Sequence, residues 1–470
     1  MSNWFLKVRE AVKTRVWRFM LKRLTHTTRI TTSGAQVIVL RPGAIIDAES
    51  EAMIQAMHSR SPGGLFQHLV ALMKSGPGKF METFYVGYSH KSIGDCGTGT
   101  VFIEGVSMLV AKAIQDTRLH SGQEVSTRYV DFSVQPFIDP VGTEASRWVL
   151  VSWRNFYVKN MPAVVEHLKQ RFPQQPGEKD GVYNKAIAAR AFDTMRGFLP
   201  AGASTNLAWH SNLRQFADHL MLLRHHPLEE VRDVAEAIES ALKETYPSSF
   251  GHKRYDSTED YNRWWMENEY LFYPQNWTDF DYFLDRFSED MLGHHFMGAL
   301  MRRPLKTELP KQLAVCGVIE FDFLLDFGSF RDIQRHRAVT QRMPMLTEQF
   351  GFEQWYLDEL PESVREEALK LLRFQSELTD TFCFSIPMRQ YYLPMGYRVP
   401  MQVVGDLPAL VYLVELRATR FVHPTLCRRA IQMADVLKKH LSPVGLVLHL
   451  DEEPGRFDVR RGEHDIVIKV

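Results

Sequence analysis

Only four cysteines occur in 470 residues, Cys96, Cys316, Cys383 and Cys427, and no two of them form a CxxC pair. That scarcity argues against a disulfide scaffold or a zinc ribbon, and it points to a reducing, cytoplasmic compartment with no metal site. An excess of one charge is lacking too: 56 Lys and Arg stand against 56 Asp and Glu. Bulk electrostatic binding of nucleic acid is therefore not expected. No run of about 18 uncharged apolar residues occurs, so nothing reads as a membrane span. Lys7, Arg9, Lys13, Arg15 and Arg18 interrupt the start, where a secretory signal needs an apolar core. No Gly-x-Gly-x-x-Gly or Walker loop follows a strand-like run, and no nucleophile elbow or ordered Ser-His-Asp set is present.

What is present is core-forming material. Hydrophobic residues make up 45% and aromatics 12% of the chain, enough apolar surface to offset ordering entropy. At roughly 150 residues per domain the length suggests two or three domains, or one internally duplicated body. Residues 3–24 read as a basic amphipathic helix: Trp4, Phe5, Val8, Val12, Val16, Trp17, Met20 and Leu24 recur near helical spacing between lysines and arginines. Such a helix either meets an anionic surface or partner, or packs on its own domain. Apolar periodicity predicts helices over Leu228–Tyr246 and, after a proline start, Pro424–His440. Ala35–Leu40, Thr100–Ile103, Gln312–Phe323 and Asp465–Val470 read as β-rich pieces, which makes the class α+β. The Tyr, Trp and Phe crowded into residues 261–283 would either stack on a planar ligand or form a packed bridge between domains.

Self-comparison shows a weak internal repeat. Met195-Arg196-Gly-Phe-Leu-Pro200 has a counterpart in Met388-Arg389-Gln-Tyr-Tyr-Leu-Pro394, and Leu222-Leu223-Arg224 corresponds to Glu415-Leu416-Arg417. His226-Pro227 and His423-Pro424 follow, each before a helix. The preserved order predicts two copies over 35–248 and 311–470, with 1–34 as an N-terminal extension and 249–310 as an aromatic-rich connector.

Two clusters carry chemistry. In the first, Arg118 and Ser121 precede Gln123-Glu124-Val-Ser126-Thr-Arg128. Hydroxyls and a guanidinium on one turn suit a phosphate, and the same residues also suit an ordinary capped helix start. The second is Arg335-His336-Arg337 with Thr340 beyond it: either a dense anion site around a His of lowered basicity, or a solvated basic turn. His90-Lys-Ser92, before Asp95, is weak by itself.

Together these pieces resemble the flavin-dependent thymidylate synthase family, as a tandem and divergent duplication. The family signature is Arg-His-Arg, two residues, Ser, four residues, then Ser-x-Arg. The second copy supplies Arg335-His336-Arg337-Ala-Val-Thr340 and then departs, with Met345 and Thr347 in place of the final Ser and Arg. The first copy shows the opposite loss: Asp116-Thr117-Arg118 replaces the triplet, while Ser121, Ser126 and Arg128 keep their places. His90-Lys-Ser92 with Asp95 looks like a reduced form of another family segment. Arg196-Gly-Phe-Leu-Pro200, Asn212-Leu-Arg214 and Leu223-Arg224 look like its later nucleotide and flavin positions, and in the second copy Asp406 takes the Asn place and Arg417 the later Arg place.

The resemblance implies two tandem domains of that fold forming a pseudo-dimer, in a chain that assembles further as a dimer of pseudo-dimers. It implies FAD as cofactor, dUMP or a related nucleotide as substrate, and methylenetetrahydrofolate and NADPH as co-substrates. Arg335, His336, Arg337, His90, Ser92, Asn212 and Arg214 would hold flavin. Arg118, Ser121, Glu124, Ser126, Arg128 and Arg196 would hold the nucleotide, and Arg224 or Arg417 would polarise the pyrimidine. The two copies would complement each other at one composite site, leaving the mirror site, with Asp116 in it, without function. The rival expectation is a non-catalytic nucleotide- or partner-binding protein on the same duplicated scaffold.

Overall fold

The computed structural model describes residues 26–40, 46–59, 65–88, 90–125, 132–383 and 385–451. The basic segment 3–24, Ser126, Arg128 and the terminal run Asp465–Val470 lie outside them. Strands and helices mix throughout, as an α+β reading requires. Five strands, β1 (His26–Ile30), β2 (Gln36–Leu40), β3 (Thr98–Ser107), β4 (Ser121–Glu124) and β5 (Ser204–Asn212), form one sheet in the order β1-β2-β3-β5-β4. Two short strands, β6 (Leu271–Phe272) and β10 (Met343–Pro344), pair in parallel. A four-stranded sheet runs β7 (Phe280–Phe283), β8 (Val318–Asp326), β11 (Arg398–Asp406) and β9 (Thr340–Gln341), with every pairing antiparallel.

Period-two burial explains the strands. Val37 and Val39 of β2 and Val101 and Ile103 of β3 are fully buried, one face of each strand going to the core. The helix Glu229–Thr245 buries Val231, Val234, Ala235, Ile238 and Leu242 along one stripe, with Glu229 and Glu230 in its first turn, where negative charge suits the helix dipole. Pro424 opens the helix Pro424–Leu441. One β expectation is shortened. Lys311–Cys316 is a 3₁₀ turn, and the strand starts only at Val318. Between them Gly317 has φ of 103° and lies against Arg286 O, 2.0 Å from where a Cβ would stand, so no side chain fits there to extend the strand.

By compactness the described chain divides into two units interleaved in sequence. The first holds residues up to Val106 with Leu119–Glu124 and Thr205–Glu267; the second holds Ser107–Arg118, residues 125–204 and Asn268 onward. In the second unit the long helices Glu144–Arg171 and Asp180–Met195 pack together, and Glu362–Phe382 packs on the first of them. The aromatic stretch 261–283 is split at Glu267/Asn268. Tyr261, Trp264 and Trp265 are exposed on the helix Asp256–Asn268, while Phe272 and Trp277 meet edge to face at 4.9 Å.

One succession of elements occurs twice. β3 runs into the helix Met108–Gln115, long helices follow, and β5 leads to Leu213–Leu223 and then Glu229–Thr245. Likewise β8 runs into Phe327–Ile333, a long helix follows, and β11 leads to Leu407–Arg417 and then Pro424–Leu441. Each strand-to-helix junction is capped by a side chain that accepts the third amide. Ser107 accepts from Val110 N–H, Asp326 from Ser329, Asn212 from Gln215 and Asp406 from Ala409.

The two Leu-Pro segments pair with each other inside the second unit. Pro200 stands opposite Pro394. Ala201 N–H donates to Leu393 O and Met395 N–H to Leu199 O, each at 2.9 Å; Gly202 N–H donates to Tyr391 O and Gly396 N–H to Gly197 O, at 2.9 and 2.7 Å. Exchanging the segments leaves this pattern unchanged, as a two-fold axis between them requires. Gly202 and Gly396 occupy equivalent places: a Cβ would lie 2.6 Å from Tyr391 O in one and 2.9 Å from Gly197 O in the other.

Candidate functional site

The densest group of expected residues lies in the second unit, around Asp332. Asp326 caps the short helix Phe327–Ile333, which brings Arg331 and Asp332 to its last turn and releases the chain into Arg335-His336-Arg337. Arg335 Nε lies 3.9 Å from an Asp332 carboxylate oxygen, and half of its side chain is exposed. Arg417, at the end of Leu407–Arg417, donates from Nη2 to Asp332 O and from Nε to His336 Nε2, both at 2.7 Å. Arg196, on the 3₁₀ turn that ends Asp180–Met195, is buried with Asp193 at 3.7 Å, and its Nε and Nη2 have no hydrogen-bond partner among the described residues.

Electrostatics follow from this crowding. Burial pushes the Asp332 carboxyl up, but Arg196, Arg335, Arg417 and Arg331 outweigh it and hold the group below the usual carboxylate range. Burial also works against the Arg196 charge, yet Asp193, Tyr356, Asp332 and Asp326 raise its pKa above the usual value. For Arg417 burial wins and the pKa falls. His336 is driven down to about 3, first by burial and then by Arg417. At neutral pH the cluster is therefore a set of charged arginines around one carboxylate and a neutral imidazole. Charged guanidinium groups so placed have the chemistry to meet an anion.

Asp116-Thr117-Arg118, at the end of Met108–Gln115, behaves differently. Asp116 is raised to about 6 by burial, against hydrogen bonds from Tyr270 and Gln334. Gln334 Nε2 also donates to Lys112 O at 3.0 Å, and Arg118 donates to Thr340 Oγ1 at 2.5 Å. Asp116-Thr117-Arg118 is thus bonded to the segment leading into the Arg-His-Arg triplet and to Thr340, three residues beyond Arg337. Arg389, which the sequence repeat matches to Arg196 although the ribbon register sets Gln390 at that place, donates to Glu348 and Asp380. Thr347 is buried.

The remaining candidates belong to the first unit. Arg214 pairs with Asp95 at 2.9 Å and Asp218 at 3.3 Å. This sets it beside the short helix Lys91–Gly94, which carries Ser92 exposed and follows the exposed His90. Asn212 spends its side-chain oxygen on the Gln215 amide. Ser121 and Glu124 lie on β4, an edge strand. Arg224 donates to Glu239 and Glu259 at 3.3 and 3.2 Å. It borders a groove of about 1260 Å³ lined by eight carboxylates and four arginines, a balance that repels a phosphate. Sequence reasoning missed Asp332, Asp193, Tyr270, Glu239 and Glu259. Two carried a usable signal, since Asp332 precedes Arg335 and Asp193 precedes Arg196 at i, i+3 spacing.

Comparison with known proteins agrees with the first half of this picture. Residues 44–248 match the family model described as thymidylate synthase complementing protein. Over a longer span the chain is similar to a UPF0159 protein of Chlamydia muridarum, at 26% identity covering 75% of this chain and 77% of the relative. It is also similar to a UPF0159 protein of Chlamydia pneumoniae, at 25% identity over 72% and 74%. A third relative, UPF0159 protein Ta1429 of Thermoplasma acidophilum, is 24% identical over 79% and 88%. The likeness to these relatives thus runs on past residue 248, while the match to the thymidylate synthase complementing protein model spans residues 44–248.

Proposed function

We propose that the chain is a flavin-dependent, thymidylate-synthase-like enzyme made of two tandem, divergent copies of one domain, with one composite site per chain. Its substrate is dUMP or a related uridine nucleotide, and its reaction a reductive one-carbon transfer to C5. The observation that carries this reading is the convergence of Arg196, from the first half, with Arg335, His336 and Arg417, from the second, around Asp332. The duplication is supported by the repeated element order, the four matching caps and the two-fold pairing of Pro200 with Pro394.

The residues present fit anionic groups. Arg196 keeps two buried nitrogens, Nε and Nη2, without a hydrogen-bond partner among the described residues, which suits a nucleotide phosphate or carbonyl. Arg335 and Arg337 are exposed and would hold a flavin pyrophosphate. Bound flavin supplies the hydride, with NADPH as reductant and methylenetetrahydrofolate as carbon donor. The chain's own task is to bind and orient, and Arg417 stabilises negative charge as it develops on the pyrimidine. One flavin and one dUMP per chain, seen in the visible spectrum of the purified protein and by calorimetry, and growth of a thymidine-requiring strain, are the expected results.

A second reading has support in the first half, where Arg224 and Arg214 are consumed by carboxylates and Asp116 stands in place of an arginine. On that reading the protein is a non-catalytic binding module. A colourless protein that takes up no added FAD would establish it and sink the enzyme.

A further inference from the structure

His336, the centre of the triplet, is not disposed as a ligand-facing residue. Only 6% of it is exposed, and its ring lies 5.9 Å from that of Tyr412. Its main chain is fixed on both sides: its N–H donates to Ile333 O, and its carbonyl accepts from Gln341 Nε2. Its Nε2 takes the Nε–H of Arg417 at 2.7 Å. A guanidinium has donors only, so this nitrogen must present a lone pair, and the ring proton sits on Nδ1. Burial and the Arg417 charge oppose a second proton, while Asp332 favours one and loses.

The consequence falls on Arg417. Its other bonded donor, Nη2, goes to a main-chain carbonyl, and its Nη1 has no partner among the described residues. Both acceptors are neutral, so the guanidinium is held in place without being neutralised by direct contact, and one N–H pair is left to reach a ligand. Arg224 makes the contrast, because its donors meet two carboxylates.

We propose that His336 is a positioning residue, a neutral acceptor that aims Arg417 at the anionic edge of the nucleotide, and that it does not itself contact flavin. The assignment rests on the nucleotide reading above. It departs from the flavin-binding role that the resemblance gives to the triplet's histidine, which here falls to Arg335 and Arg337 alone.

The test uses the full chain with dUMP and FAD as probes. His336→Phe removes the acceptor and is expected to weaken dUMP binding about tenfold, as Arg417→Gln does, while FAD affinity stays within about twofold. The double variant should bind dUMP no more weakly than Arg417→Gln alone, since the two residues act as one unit. His336→Gln, whose side-chain oxygen can accept from Arg417, should restore dUMP affinity to within about threefold of the wild type. Nitrogen-15 NMR of the ligand-free wild type should show His336 with an unprotonated Nε2 at pH 5. Additive effects in the double variant, weakened FAD with unchanged dUMP, or a ring that titrates near pH 6.5 would each overturn the proposal. If the wild type binds no dUMP, the nucleotide reading falls, and the ring-nitrogen signals alone decide the Arg417 contact. They also decide it if His336→Phe does not fold.

Discussion

Arg417 and Arg224 close helices that stand at the same point in the repeated element order, each after a capped strand-to-helix junction and each shortly before a His-Pro pair. Burial lowers the pKa of both. Their partners differ. Arg224 is bracketed by Glu239 and Glu259, and Arg254 shares Glu239, so its charge is spent inside the protein. Arg417 is held by an imidazole nitrogen and a carbonyl oxygen, so its charge is positioned and still available. One Leu-Arg motif thus yields a structural ion pair in one place and a preorganised cation in the other. What separates them is whether the supporting acceptors are ionised.

The sharpest way to break this comparison is to move it to Arg196 and Arg389. Arg196→Met leaves Asp193 and Asp332 short of a buried counter-charge and should cost about 3–5 kcal/mol in urea unfolding, together with dUMP binding. Arg389→Met, at a part-exposed site shared with Glu348 and Asp380, should cost less, about 1–2 kcal/mol. Equal costs would mean the two halves are not differentiated at this position.

The two-fold ribbon is tested next. Gly202→Ala forces a Cβ to 2.6 Å from Tyr391 O, and Gly396→Ala forces one to 2.4 Å from the Phe352 ring and 2.9 Å from Gly197 O, and each should destabilise by about 2 kcal/mol. A large loss from only one of them would show that the ribbon is not equally constrained on its two sides.

Arg417→Gln should weaken dUMP about tenfold by calorimetry with little change in stability. Arg224→Gln should leave dUMP affinity alone and cost about 1 kcal/mol of stability. A pH dependence is also expected at Asp116. Its folded pKa of about 6 exceeds the unfolded value of about 4, so folding favours the protonated form. The stabilisation is complete below pH 4 and is lost as pH rises through 6. Asp116→Asn should therefore flatten the change in urea midpoint between pH 4.5 and 7.5, by an amount on the order of 2 kcal/mol.

Legibility varied with the range of the interaction. The helices Glu229–Thr245 and Pro424–Leu441 were readable within a residue or two of their ends, because periodicity, caps and proline starts act within a few residues. The β-rich run Gln312–Phe323 hides the 3₁₀ turn Lys311–Cys316 at its start, since the close approach of Arg286 O to Gly317 comes from a segment distant in sequence. The carboxylates beside Arg335 and Arg196 lay at helical spacing and were within reach of a pattern search. Tyr270, which meets Asp116, and Glu259, which meets Arg224, offered no such signal.

By itself the sequence determined the mixed class, the helices Glu229–Thr245 and Pro424–Leu441 and the positions of the arginines, because each depends on near neighbours along the chain. Only the tertiary structure decided which arginines keep a usable charge. A guanidinium that meets two carboxylates is internally neutralised, and one that meets a carbonyl and a neutral imidazole is not. That difference is set by side chains brought together from elements far apart in the chain.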